Sequence, residues 1–276
     1  MSTAYGGGPS GPGPSGPGPA ARSLFVTGAA SGIGRATARL FAERGYRVGL
    51  YDLDEVGLRA LAAELGAERC AWQRLDVTDH QAFTAAIAHF GAAVAPRLGV
   101  LFNCAGVMEM GRFEEVSIAS HQRTVAVNVQ GVVNGILAAL PLLRASAPAC
   151  VLSMCSASAL YGVPELATYS ASKSFVRGLT EALDLELEAE GIRVTDLMPP
   201  FVDTPMVSNQ ARRAGSLRTL GVRLGPEEIA ELAWRAVHAR RGRTHWVPAL
   251  WVRVMSWFGN VVPPAARPTM KRISRL

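Results

Sequence analysis

The sequence predicts an α/β protein built on a single doubly wound parallel sheet with helices on both faces. Three observations predict it. Short apolar runs alternate with helical stretches from Leu24 to about His238, glycines crowd the turn after the first run, and an acidic residue closes the second. Strand–helix alternation implies parallel strands covered on both sides, and such sheets bind ligands beyond the carboxyl ends of their strands.

The elements follow in order. Residues 24–26 read as a strand and 34–44 as a helix with apolar positions at helical spacing. A strand at 47–51 and a helix at 56–65 repeat the unit, as do a strand at 71–75 and a helix at 81–90. A strand at 100–103, a long helix at 125–143 and a strand at 150–154 come next, then a helix at 169–190 and a strand at 193–197. The stretch 201–225 breaks the rhythm. Long connections beside ligand sites often serve as lids. A helix at 226–238 follows, with Pro226, Glu227 and Glu228 suited to its first turn.

Length and composition bound the rest. The 276 residues suit one large domain, placed at 22–247, and 49% hydrophobic residues suffice for its core. Residues 1–21 are Gly, Pro and Ser with almost nothing apolar, which predicts a disordered tail. Residues 248–276 form an apolar and basic C-terminal extension. The net charge of +6 is scattered except at Arg267, Lys271, Arg272 and Arg275, and no module for reading nucleic acid is recognisable. Cys70, Cys104, Cys150 and Cys155 show no metal-ligand spacing and read as reduced thiols, so no metal is expected. Cys155 adjoins a candidate catalytic serine, which leaves its oxidation as a lesser alternative. No charged region followed by an apolar run opens the chain, so a cytoplasmic protein is expected.

The stretch 245–262 holds Trp246, Trp251, Trp257 and Phe258, and Leu250, Val254, Phe258 and Val261 fit one helical stripe. It is too short and broken for a membrane span. Two readings stand: peripheral contact with a membrane interface, or a cover over the substrate pocket or another subunit.

After the first strand comes Thr27-Gly28-Ala29-Ala30-Ser31-Gly32-Ile33-Gly34. Glycines let backbone approach a ligand, and the helix beginning here points free N–H groups at the loop. This suits a pyrophosphate, although the spacing differs from the G-x-G-x-x-G fingerprint and a plain tight turn is the bland alternative. Asp52 closes the second strand, where an acid can accept the ribose hydroxyls of NAD and repel the extra phosphate of NADP. Ser31 offers no cation for that phosphate, so NAD is the expected cofactor. A solvated strand-end acid is the alternative for Asp52.

Tyr169 and Lys173 are four residues apart and share a helix face. A nearby cation favours phenolate, making the pair a candidate acid/base for an alcohol–ketone couple. Ser156 lies just past the 150–154 strand, where its hydroxyl can bind a substrate oxygen. Asn128 is a polar amide in an apolar helix, which needs a partner: a functional one, or a structural hydrogen bond.

With these residues in order, the chain resembles the short-chain dehydrogenase/reductase family over roughly 23–247. The match includes the Thr27 to Gly34 loop, Asp76-Val77, Asn103-Cys104-Ala105-Gly106, Asn128, Ser156, Tyr169, Lys173, Pro199 and Val202-Asp203-Thr204. The resemblance implies a Rossmann-type fold and a set of roles. Tyr169 transfers the hydroxyl proton, Lys173 lowers its pKa and binds the nicotinamide ribose, Ser156 orients the substrate oxygen, and Asn128 holds a relay water. Gly28, Ser31, Gly32, Ile33 and Gly34 hold the pyrophosphate, Asp76 and Val77 meet adenine, and Asn103, Ala105 and Gly106 line the cofactor groove. Val202 and Thr204, after Pro199, meet the carboxamide. The chain departs from the family at Pro200, where glycine is common, which puts the local lid geometry in doubt. Cys104 and Cys155 replace a common Asn and Ser.

By the same resemblance, Met108, Met110, Leu160, Tyr161, Val163, Phe201, Met206 and Val207 line the substrate pocket. They are apolar and methionine-rich, which suits an apolar secondary alcohol or ketone of steroid, terpenoid or aryl-aliphatic type. A homodimer or homotetramer through the helices bearing Asn128 and Tyr169 is also implied. The alternatives are a non-catalytic dinucleotide-binding sensor and a membrane-docked interaction protein. Retention of Asn128, Ser156, Tyr169 and Lys173 argues against the sensor.

Overall fold

Alternation along the strands sets the architecture. In β1 (Ser23–Thr27), Leu24 and Val26 join one apolar cluster and Phe25 joins another. Opposite pleat faces therefore feed two separate cores. The computed structural model describes residues 22–210, 214–239, 243–248, 271, 272 and 274. The expected tail at 1–21, the helical stripe of Leu250, Val254, Phe258 and Val261, and Arg267 and Arg275 lie outside the described residues.

The other strands are β2 (Arg47–Asp52), β3 (Cys70–Arg74), β4 (Val100–Asn103), β5 (Ala149–Met154), β6 (Ile192–Leu197) and β7 (His245–Trp246). They form a 7-stranded sheet in the order β3-β2-β1-β4-β5-β6-β7, and every pairing is parallel. The helices are α1 (Gly32–Glu43), α2 (Glu55–Leu65), α3 (His80–Ala93), α4 (Ile118–Val125), α5 (Gly131–Arg144), α6 (Ala167–Glu186), α7 (Pro205–Ser208), α8 (Gly215–Leu220) and α9 (Pro226–His238). Leu58 and Leu61 of α2, Phe41 of α1 and Leu232 of α9 pack on one face of the sheet. Phe83 and Phe90 of α3, Ile136 of α5 and Val176 of α6 pack on the other. The fold is thus the Rossmann-type doubly wound sheet that the sequence predicts.

The strand order turns back between β1 and β4, which pair directly. A crevice opens at such a switch point, beyond the strands' carboxyl ends. The glycine loop leaves β1 there, and Asn103–Gly106 leaves β4 beside it.

Several expectations change. The helix expected from residue 125 begins at Ile118, because the Ser117 side chain accepts from Ser120 N at 3.1 Å and caps it. It runs through a π-helical turn, Ala126–Gln130, into α5. By length and composition this helix could cross a membrane, but its Asn128 and Asn134 are buried in the fold. The helix expected at 169–190 ends as α6 at Glu186, followed by a 3₁₀ turn.

His245 and Trp246, read with the apolar tail, form the edge strand β7 instead. Trp246 is buried in the core, and the Arg243 guanidinium stacks over it at 4.8 Å. The stretch 201–225 carries α7, α8 and a bridge from Val202 to Leu224. Hydrogen bonds tie the segment on both sides of Pro200: the Pro199 carbonyl accepts from Ala157 N at 2.9 Å, and Asp203 N donates to the Leu224 carbonyl at 2.9 Å.

Candidate active site

The glycine loop is shaped by close backbone approaches. Gly28 has φ +69, and a Cβ there would stand 3.0 Å from the Ala105 backbone. Any side chain at Gly34 would collide with the Gly28 carbonyl. Gly32 has φ +49 and faces Thr204, whose Cγ2 would lie 3.1 Å from an added Cβ. The loop therefore touches both the β4 loop and the segment leading to α7. Thr27 ties the first of these down: its hydroxyl accepts from Cys104 N at 3.0 Å and Ala105 N at 3.1 Å.

Asp52 reaches the loop from β2. One carboxylate oxygen accepts from Ala30 N at 3.0 Å and the other from Asp54 N at 3.1 Å. Helices α2, α3 and α4 have side chains capping their first turns, from Asp54, Asp79 and Ser117. Helix α1 follows Ser31 with no side-chain cap and no acid in its first turn. Its first N–H groups are left for an anion, as a pyrophosphate cradle requires. The residues present thus fit a dinucleotide: a loop with no room for Cβ atoms, an uncapped helix start and a strand-end carboxylate.

The expected catalytic residues converge beyond β5. Ser156 lies close enough to Tyr169 for its hydroxyl to act on the phenol, and the Lys173 ammonium lies 5.6 Å from the Tyr169 ring centre. Lys173 is buried, and its ammonium donates to the Met154 carbonyl at 2.8 Å. Burial lowers its pKa, partly offset by the nearby Cys155 and Cys104 thiols. Burial also pushes the Tyr169 phenol up to about 12, opposed by the neighbouring Ser156 hydroxyl. The Cys155 thiol is buried and raised by burial, and it donates toward the Lys173 carbonyl at 3.3 Å. Such a thiol has little reactivity, so the oxidation alternative loses its basis.

Asn128 is fully buried in the π-helical turn. Its oxygen accepts from Val107 N at 2.9 Å; its nitrogen donates to the Val107 carbonyl at 2.9 Å and to the Ser172 hydroxyl at 3.1 Å. Ser172 in turn donates to the Tyr169 carbonyl at 2.7 Å. The amide therefore splints the β4 loop to the helix carrying Tyr169 and Lys173. Gly106 sits at the junction: a Cβ there would lie 3.3 Å from the Asn128 oxygen, 3.7 Å from the Lys173 ammonium and 3.8 Å from Met206.

Other expected cofactor residues are placed less directly. The buried Asn103 amide is turned toward Gly135 and has no hydrogen-bond partner among the described residues. Asp76 accepts from Thr78 N at 2.9 Å and the Thr78 hydroxyl at 2.7 Å. Val77 is buried beside Gly131. Ile33 packs on the core.

On the substrate side, Met110, Leu166, Val207, Ala214 and Leu217 form a third apolar cluster, with Met108, Val163, Tyr169 and Phe201 against it. Leu160 belongs to the main core instead, and Tyr161 is exposed. A cleft of about 450 Å³ opens at the rim between Met108, Met110 and Val116 on one side and Asn209 and Gln210 on the other. Sequence reasoning missed two residues here. Glu165, at φ 64, accepts from Gly215 N at 2.6 Å. Gln210 bonds the loop carrying Met108 and Met110. Both are polar residues whose partners lie far away in sequence, so no local pattern marks them.

Comparison with known proteins bears on this arrangement. The family model described as short chain dehydrogenase matches residues 22–215. The chain is 36% identical over 196 residues to a 2,5-dichloro-2,5-cyclohexadiene-1,4-diol dehydrogenase of Sphingobium indicum, covering 69% of this chain and 76% of that protein. It is 34% identical over 223 residues to the trans-4-hydroxycyclohexanecarboxylate dehydrogenase of Sinomonas cyclohexanicum, covering 77% and 84%. A short chain dehydrogenase/reductase from Burkholderia phymatum, solved in complex with NAD, superimposes with a TM-score of 0.78 at 26% identity, covering 87% of this chain and 93% of that one.

Proposed function

From the premise that the chain belongs to the short-chain dehydrogenase family, we propose that it is an NAD-dependent oxidoreductase interconverting an apolar secondary alcohol and its ketone. The observation that carries this reading is the convergence of Ser156, Tyr169 and buried Lys173 against the Met108, Val163 and Phe201 cluster. An acid/base pair thus meets an apolar wall.

Gly28, Ser31, Gly32, Ile33 and Gly34 would hold the pyrophosphate and Asp52 the adenosine ribose. Asp76, Val77, Asn103, Ala105 and Gly106 would flank the rest of the groove, with Pro199, Val202 and Thr204 at its nicotinamide end. Asn103 would act there through its main chain, since its amide faces α5. When bound, the nicotinamide supplies the hydride acceptor. Ser156 orients the carbinol oxygen, and Tyr169 takes its proton. Lys173 stabilises the phenolate, and Asn128 holds the β4 loop against the helix carrying Tyr169 and keeps a relay water in place. A carboxylate at Asp52 disfavours a phosphate on that ribose, which supports NAD over NADP.

The relatives that act on cyclohexane-type diols and hydroxy acids support an alicyclic secondary alcohol, within the space lined by Met108 and Met110. A homodimer or homotetramer fits the exposed Leu137 of α5 and the exposed Phe175 and Leu185 of α6. Absorbance of NADH, followed with NAD and then NADP over a panel of alicyclic secondary alcohols, tests the proposal. Turnover with NAD supports it. NADH binding without turnover of any alcohol would move the chain to the sensor class.

A further inference from the structure

Gln210 joins the two walls of the substrate side with one amide. Its nitrogen donates to the Met108 carbonyl at 2.9 Å and to the Met206 carbonyl at 2.8 Å. Its oxygen accepts from Met110 N at 3.0 Å. The amide thus reads the β4 loop as a neighbouring strand would, taking the carbonyl of one residue and the N–H of the next but one. Residues 108 and 110 are the two whose side chains meet the cluster around Tyr169. Met110 is held a second time, because Ala214 N donates to its sulfur at 3.4 Å. The loop is also tied through Glu165, whose carbonyl accepts from Gly111 N at 3.0 Å while its carboxylate holds Gly215 N at 2.6 Å.

We infer that Gln210 is a positioning and specificity-determining residue, which sets the width of the alcohol site by fixing Met108 and Met110 against the segment carrying Met206. This rests on the oxidoreductase reading for its consequence, but not for the staple itself. Methionine is flexible and adapts its shape to what it packs against. A methionine wall discriminates substrates only when its backbone is held. Gln210 holds it without touching Tyr169, Ser156 or Lys173, so its removal acts on fit and not on proton transfer.

The test uses the full chain with Gln210→Ala, Gln210→Glu and Gln210→Met. Glu keeps an acceptor for Met110 N but cannot donate to the Met108 and Met206 carbonyls. Met keeps the volume and removes all three bonds, so it stands in if Ala fails to fold. Hydrogen exchange of the peptide spanning residues 107–112 reads the staple without any turnover. Exchange at Met110 should rise by about tenfold in the Ala and Met variants, the scale of one lost hydrogen bond, and less in Glu. In turnover, KM for a compact alcohol such as cyclohexanol should rise by roughly tenfold, with kcat and its pH profile retained. Discrimination against a bicyclic alcohol should fall. NADH affinity should stay within about twofold, because the dinucleotide loop is untouched. Unchanged exchange at Met110 overturns the staple. Changed exchange with unchanged KM and unchanged discrimination overturns the specificity role. If wild-type chain turns over no alcohol, the oxidoreductase reading falls, and exchange still decides whether Gln210 holds the wall.

Discussion

Asp52 accepts a hydrogen bond from Ala30 N at 3.0 Å, which joins the end of β2 to the glycine loop 22 residues earlier. The carboxylate read as a ribose acceptor therefore also shapes the pyrophosphate loop. We expect Asp52→Ala to weaken NADH binding by roughly ten- to a hundredfold, the scale of a lost charge-assisted hydrogen bond. NADP should lose less, since repulsion of its phosphate is relieved. Fluorescence titration with both cofactors checks this. Equal losses for both would remove Asp52 as the source of preference.

The Tyr169 phenol stands at about 12, raised by burial and lowered by the neighbouring Ser156 hydroxyl. Removing it must raise the phenol further. In the oxidative direction the phenolate is the competent base, so the rate rises with pH until the phenol has ionised. Ser156→Ala should displace that rise to higher pH and cut kcat by roughly a hundredfold, the loss typical of one oxyanion donor. The profile of kcat/KM against pH is the readout.

His245 anchors β7 between buried Asp196 and Glu181, at 3.0 Å from each. Burial disfavours protonated His245, but its hydrogen bonds to Asp196 and Glu181 outweigh this and raise its pKa above 6.5. Asp196 is raised too, chiefly by burial. Both groups bind protons more readily in the folded chain, so stability falls as pH rises. The His245 contribution is complete below pH 6.5 and is lost as pH climbs through its raised value. Glu181 is shifted below 4.5 and adds an opposite slope only at more acid pH. Above pH 6.5 melting temperatures should decline in wild type and decline less in His245→Asn.

Gly215 admits no Cβ because the Ser274 carbonyl packs against it. The short segment at Ser274 therefore packs on the first residue of α8. Gly215→Ala should displace that segment. Limited proteolysis should then cleave the C-terminus faster, by about tenfold for a loss of about 1.4 kcal/mol in local stability. Unchanged cleavage would leave the contact without consequence.

The sheet and the pair Tyr169–Lys173 were legible because each depends on local period or spacing. Strand alternation separates Leu24 from Phe25, and an i to i+4 step puts Lys173 under Tyr169. Edge strand β7 was hidden, since two residues among tryptophans carry no period. The helix start at Ile118 was hidden because His121, Gln122 and Arg123 break apolar spacing; Ser117 was the signal to follow. Leu160 passed for a pocket residue because its hydrophobicity does not say which way it faces. Gln210 and Glu165 act across the chain on backbone atoms, and composition offers no trace of that.

The most direct test of the central claim is isotope transfer. An alicyclic secondary alcohol deuterated at its carbinol carbon is incubated with the protein and NAD, and the reduced cofactor is examined by mass spectrometry. Deuterium in the reduced cofactor, reduced by at least about a hundredfold in Tyr169→Phe while NADH still binds, is the predicted result. Reduced cofactor without deuterium, or transfer undiminished in Tyr169→Phe, would contradict it.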